Sequence, residues 1–124
     1  MLNYLKNEIR EFSERQFGNR MGKDAIGPLN HLKEEVDELI EAITLMHEPL
    51  PEPTLEKARE QQHNEEEEWA DCLLLLLDAF RIRYGNDVSF NKLLHFSLNK
   101  LEVIKKREWD KEPNEDGIYR SKKP

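Results

Sequence analysis

Cysteine is almost missing: the 124 residues contain one. A lone thiol excludes an intramolecular disulfide and a multi-cysteine zinc site, and it fits a reducing compartment. Five glycines and six prolines are too few for a turn-rich all-β fold. No segment shows the period-two alternation of a half-buried strand. Long hydrophobic runs are lacking as well. The longest aliphatic run, Leu73 to Leu77, falls far short of the roughly 20 residues that span a bilayer, and the N-terminus carries no signal-peptide core. A cytoplasmic protein without a membrane partner is therefore expected. Basic charge is also in deficit: the formal net charge is −7, which argues against a nucleic-acid or anionic-membrane binder.

What is present is apolar and charged in nearly equal parts, 37% and 36%. A core is affordable at that ratio only if the apolar positions are tightly patterned on amphipathic elements. Helical spacing does pattern them. Leu2, Leu5, Ile9, Phe12 and Gln16 predict a helix over 2–17 that ends at Phe17-Gly18, followed by a loop to Gly27. Pro28 suits the first turn of a second helix, with Leu32, Val36, Leu39 and Ile43 as its stripe and an end near His47. A linker containing Pro49, Pro51 and Pro53 follows, and Thr54 can cap a short helical piece leading to Asn64. A third helix is expected over 65–84, and a fourth over 89–109 with Phe90, Leu93, Leu94, Leu101 and Ile104 inward. Residues 111–124 read as an irregular tail, with Ile118 and Tyr119 as anchors, attached to a helical domain over 1–110. Because Leu73 to Leu77 is apolar all round, it must be covered on every side, and a homo-oligomer is expected.

The net charge conceals an asymmetry. Residues 34–78 hold fifteen acids against two bases, a charge of −13, so the remainder sums to +6. Two acidic clusters within that stretch sit at ligand spacing. Glu35 and Glu38 are three residues apart on the second helix, as are Glu68 and Asp71 where the third becomes apolar. Glu35 lies beside the apolar stripe and can reach a cleft between helices, whereas Glu34 points away. Like charges so placed weaken a helix, and desolvating them is costly unless something neutralises them. Carboxylates with no accompanying cysteine or paired histidine favour a hard cation, Mg²⁺ or Mn²⁺, over Zn²⁺. The plainer alternative is that the acids are solvated helix faces, and it suits Glu34, Asp37, Glu41, Glu65 and Glu66 best.

Several stretches taken in order resemble the all-α nucleoside triphosphate pyrophosphatases of the MazG-like superfamily, and among them the phage and bacterial dATP/dGTP pyrophosphohydrolases. They are Phe17-Gly18, Gly27-Pro28-Leu29, His31-Leu32-Lys33-Glu34-Glu35, Glu68-Trp69-Ala70-Asp71-Cys72-Leu73, Leu77-Asp78 and Lys100-Leu101-Glu102-Val103 leading to Lys106-Arg107-Glu108-Trp109. The resemblance covers residues from about 12 to 110. It implies a four- to five-helix bundle of the MazG-like or dimeric dUTPase type, assembled as a homo-dimer or homo-tetramer in a bacterial or phage-infected cytosol. It further implies that Glu35, Glu38, Glu68 and Asp71 bind Mg²⁺, two ions offsetting the four carboxylates, and that a purine dNTP is hydrolysed to dNMP and pyrophosphate. Ile104 stands where the family often has Asn, and Gly117-Ile118-Tyr119-Arg120 matches the usual Glu-His-[Val/Ile]-Arg ending only loosely.

Residues outside the acidic clusters have more bounded roles. Lys100 and Arg107 are seven apart and would share a helical face, so with Lys106 they are candidates for the triphosphate, a solvated basic face being the alternative. His31 is one turn before Glu35 and is a candidate for phosphate or base. Asp78 shares a face with Glu68 and Asp71; it would accept a hydrogen bond from a purine or pair with Arg81 or Arg15. Trp109 is a candidate for stacking on the base, a core position being the alternative, while Glu67 and Glu34 are candidates for taking a proton from water. Glu60-x-x-His63 is half of a di-iron motif, but His95 has Lys92 three residues before it, so a di-iron bundle is disfavoured. A function of another class would also use the acidity: a non-catalytic helical protein docking on a basic partner.

Overall fold

The computed structural model describes residues 1–48 and 54–122 and is all-α apart from one minimal sheet. The helices are α1 (Leu2–Phe17), α2 (Ile26–Met46), α3 (Leu55–Tyr84) and α4 (Phe90–Ile104), with a 3₁₀ turn at Gly22–Ala25 before α2. The expected proline linker at 49–53 lies outside the described residues. No helix among those described is long and apolar enough to cross a membrane.

Glycine punctuates the helices as expected. Gly18 (φ +75°) ends α1 and Gly85 (φ +95°) ends α3, conformations that a β-carbon disfavours, and each amide donates back to the helix it closes. The segment expected as a plain loop up to Gly27 instead winds into the 3₁₀ turn. That turn contributes Ala25 to a small core with Ala79 and Ile82 of α3. The short piece expected after Thr54 and the third helix prove to be one 30-residue helix, since 55–84 contains neither proline nor glycine to break it. Thr54 does cap it, its hydroxyl oxygen accepting from the Lys57 amide at 3.1 Å.

The chain divides into two compact units, Met1–Phe90 and Asn91–Pro124. In the first, α2 and α3 form the principal helix pair. They run antiparallel: Glu38, Glu41 and Leu45 face Glu68, Asn64 and Gln61, so residue number rises on one helix as it falls on the other. Their buried seam differs from the expected stripe in one position. Pro28, Leu32, Glu35 and Leu39 turn inward, while Val36 is exposed. Glu35 therefore occupies the buried seam itself and not its edge. Phe90 closes this unit, 1% exposed, its ring edge-on to Phe80.

In the second unit α4 stops at Ile104 and a turn follows. Leu94 and Leu101, expected inward, are exposed there, while Leu93 and Ile104 are half-buried. The described part of the expected tail is irregular up to Arg120 and ends in a two-residue strand. β1 (Glu108–Trp109) pairs antiparallel with β2 (Ser121–Lys122), and Gly117 (φ +78°) closes a turn on the Asn114 carbonyl. Ile118 and Tyr119 anchor nothing by burial, being 44% and 51% exposed.

Candidate metal centre

The antiparallel seam brings the two carboxylate pairs together. One oxygen each from Glu35, Glu68 and Asp71 lies within 4.8 Å of the others. Glu38 falls outside that tight group, but its carboxyl is close enough to Glu35 and Glu68 to be perturbed by them. Carboxylates crowded in this way repel one another unless protons or a cation are shared among them. The acidities reflect this. Loss of solvent pushes Glu68 up to about 7, helped by its hydrogen bond to Glu35 and by the charges of Glu38, Glu35 and Asp71. Glu38 is raised chiefly by its hydrogen bond to Glu35 and by the Glu35 charge.

A divalent cation fits this donor set on a separate ground. Glu35 Oε2 and Glu68 Oε2 are both shielded from solvent and have no hydrogen-bond partner. Buried polar atoms are rarely left so, and oxygen donors of like charge suit a hard ion. The other oxygen of Glu35 is held by His31 Nε2 at 3.1 Å. Glu34 is exposed on the far side of α2, and Glu67 is exposed and paired with His63 at 3.2 Å. Beside the centre, Glu38, Glu41, Ala42, Leu45, Glu67 and Glu68 help line a cavity of about 330 Å³ with polar and apolar walls in similar measure. Cys72 is half-buried within reach of the charges of Glu35, Glu68 and Asp71. Its thiol is pushed up by desolvation and then by the charges of Glu35, Glu68 and Asp71, which makes it a poor nucleophile.

Asp78 takes the ion-pair alternative considered for it: its carboxylate is engaged by two guanidinium groups and a hydroxyl. Oδ2 accepts from Arg20 Nη2 at 2.9 Å and Ser13 Oγ at 3.2 Å, and Oδ1 accepts from Arg81 Nε at 3.0 Å. Arg81 was an expected partner; Arg20 takes the place considered for Arg15. Arg20 and Ser13 were missed because Arg20 lies in a segment without periodicity. Ser13 did leave a signal, a small polar residue next to the apolar stripe of α1, and it is 1% exposed.

Lys100, Lys106, Arg107 and Trp109 all belong to the second unit. Lys100 is exposed on α4, whereas Lys106 and Arg107 lie beyond its end, so the helical face that Lys100 and Arg107 were expected to share does not exist. Trp109 donates its indole N–H to the Ile104 carbonyl at 3.0 Å, which closes the turn after α4.

Comparison with known proteins assigns no class to this arrangement: no family model, curated protein or solved structure matches the chain.

Proposed function

We propose that the protein is a Mg²⁺-dependent nucleoside triphosphate pyrophosphohydrolase that converts a purine dNTP to dNMP and pyrophosphate, as its resemblance to the MazG-like enzymes implies. The observation that carries this reading is the carboxylate centre on α2 and α3, with two shielded oxygens lacking any partner. Glu35, Glu38, Glu68 and Asp71 would hold Mg²⁺, or Mn²⁺ in its place. When bound, the ion would offset their charge, polarise the α-phosphate and acidify water. The chain's own groups supply the remainder. His31 fixes the orientation of Glu35. Glu67, which borders the cavity beside the centre, would take the proton of the attacking water. The water oxygen bonds to the α-phosphorus as the bond from that phosphorus to the bridging oxygen breaks, and pyrophosphate leaves with the electron pair. Lys100, Lys106 and Arg107 would neutralise the triphosphate.

The working form would be a cytoplasmic homo-dimer or homo-tetramer completing a helical bundle. Trp69, Leu73 and Leu76 lie along one face of α3 and are 55%, 51% and 41% exposed in the single chain, more apolar surface than a helix normally leaves to water.

Pyrophosphate release from a dNTP panel tests the activity. Turnover should require Mg²⁺ or Mn²⁺, and Glu35→Gln or Asp71→Asn should lower it at least about 100-fold with the helical circular dichroism unchanged. Absence of turnover on every common and oxidised dNTP would refute the enzymatic reading and leave the acidic docking protein.

A further inference from the structure

We propose that His31 is a positioning residue of the cation centre: by holding one oxygen of Glu35 it presents the other to the ion, and so sets how tightly Mg²⁺ or Mn²⁺ binds. This rests on the cation reading of the carboxylates and deepens it, and it does not depend on which triphosphate is hydrolysed. Glu35 stands apart from the other three acids. Among the described residues it is the one of the four paired with a basic side chain. Its two oxygens are in opposite circumstances. Oε1 is held by His31 Nε2 at 3.1 Å, whereas Oε2 is shielded from solvent and has no partner. A carboxylate only accepts, so the imidazole proton sits on Nε2 and is spent on Glu35. The expected role of His31 as a contact for phosphate or base is thereby displaced from that nitrogen.

The physical need for such a partner lies in the glutamate side chain. Its last torsion is broad, so nothing intrinsic decides how the plane of the carboxylate is turned. One bond to Oε1 decides it, because fixing one oxygen fixes where the other lies. Glu68 and Asp71 each bring an oxygen within 4.8 Å of one on Glu35, so that orientation determines whether the three converge. For the fold itself the pair matters little. The His31 side chain is 55% exposed, and an ion pair between residues four apart on a helix surface contributes only slightly to stability. Its effect falls instead on the ion, since partners that hold a ligating carboxylate typically change metal affinity by about 10- to 100-fold.

The test is Mn²⁺ binding to the full chain without nucleotide, followed by electron paramagnetic resonance, in the wild type, His31→Ala and His31→Gln. Glutamine can return an N–H to about the place of Nε2. H31A should weaken Mn²⁺ binding by about 10- to 100-fold, and H31Q should bring it back to within about threefold of the wild type. The metal-free melting temperature of H31A should stay within about 2 °C of the wild type. Equal affinity in the wild type and H31A would overturn the proposal. So would a loss that H31Q does not recover, or nitrogen hyperfine coupling to the bound Mn²⁺, either of which would make His31 a direct ligand. A melting temperature lowered by more than about 5 °C, or failure of H31A to fold, would make the role structural and overturn it as well. Turnover separates this proposal from the hydrolase reading. If H31A loses Mn²⁺ and H31Q regains it while no triphosphate is hydrolysed, the positioning role stands and the hydrolase reading fails. A wild type that binds no Mn²⁺ would overturn the cation centre and this proposal together.

Discussion

Replacing Asp78 by alanine removes the carboxylate that faces both Arg20 and Arg81. Arg81 is 2% exposed, so its charge would remain almost wholly out of water without a counter-ion. Asp78 and Arg20 are themselves only 13% and 22% exposed, which puts the network in the buried regime, where solvent screening does little. Breaking one side of such a pair costs about 3–5 kcal/mol. For a chain of this size about 4 °C per kcal/mol is expected, so the melting temperature should fall by about 12–20 °C. Thermal melts followed by circular dichroism, at fixed protein concentration and with chelator present, measure this free of metal binding and mass action. A control distinguishes charge from packing. Asp78→Leu combined with Arg81→Met removes both charges and fills the space, and it should be less destabilising than Asp78→Ala alone. A fall of less than about 4 °C in Asp78→Ala, or a double variant as unstable as the single, would refute the view that α1 is tied to α3 by this buried charge network.

Two further outcomes follow from the carboxylate centre and the exposed face of α3. Glu68 titrates near 7 in the folded chain against an ordinary 4.5, so the folded state holds a proton that the unfolded state has released. The stabilising contribution is complete below about 4.5 and is lost as pH rises through about 7. Urea midpoints of metal-free protein should therefore fall between pH 5.5 and pH 8 more steeply in the wild type than in Glu68→Gln, and an equal fall in both would refute the assignment. Light scattering should give a mass that is a multiple of 14.8 kDa, and Leu73→Lys with Leu76→Lys should return it to one chain; a wild-type monomer would refute the assembly.

How far the fold was legible depended on whether a feature was local. Helix ends marked by Gly18 and Gly85 need only the left-handed backbone that glycine provides, and Thr54 needs only a hydroxyl within reach of one amide. Those features fall where the sequence puts them. The continuity of α3 was missed because exposed polar residues from Leu55 to Asn64 show no apolar period, although nothing there interrupts a helix. At the other end, amphipathic spacing carried the expected fourth helix past its true end at Ile104. There Trp109 bonds to the Ile104 carbonyl and the strand pairing with Ser121 competes with further winding. That competition is a contact between residues twelve apart, which periodicity does not register.

The same division holds at the site, where spacing showed which acids could share a face but not what else would meet them. Glu35 with Glu38 and Glu68 with Asp71 were visible as pairs. Their meeting depends on the register of α2 against α3, which the exposure of Val36 shows to be rotated slightly from the apparent stripe. That rotation half-buries Glu35 and leaves its shielded Oε2 without a partner, and so turns an acidic helix face into a candidate for a cation. Asp78 shares the face of Glu68 and Asp71 and read as a member of the same set. Two arginines claim it, one of them from a segment with no pattern at all, so the ion pair that was one of its two expected roles is the one the fold provides. The group left without a partner in that region is the donor Arg20 Nε–H. Charge along the chain locates the acids; only their partners determine which of them remain free to act.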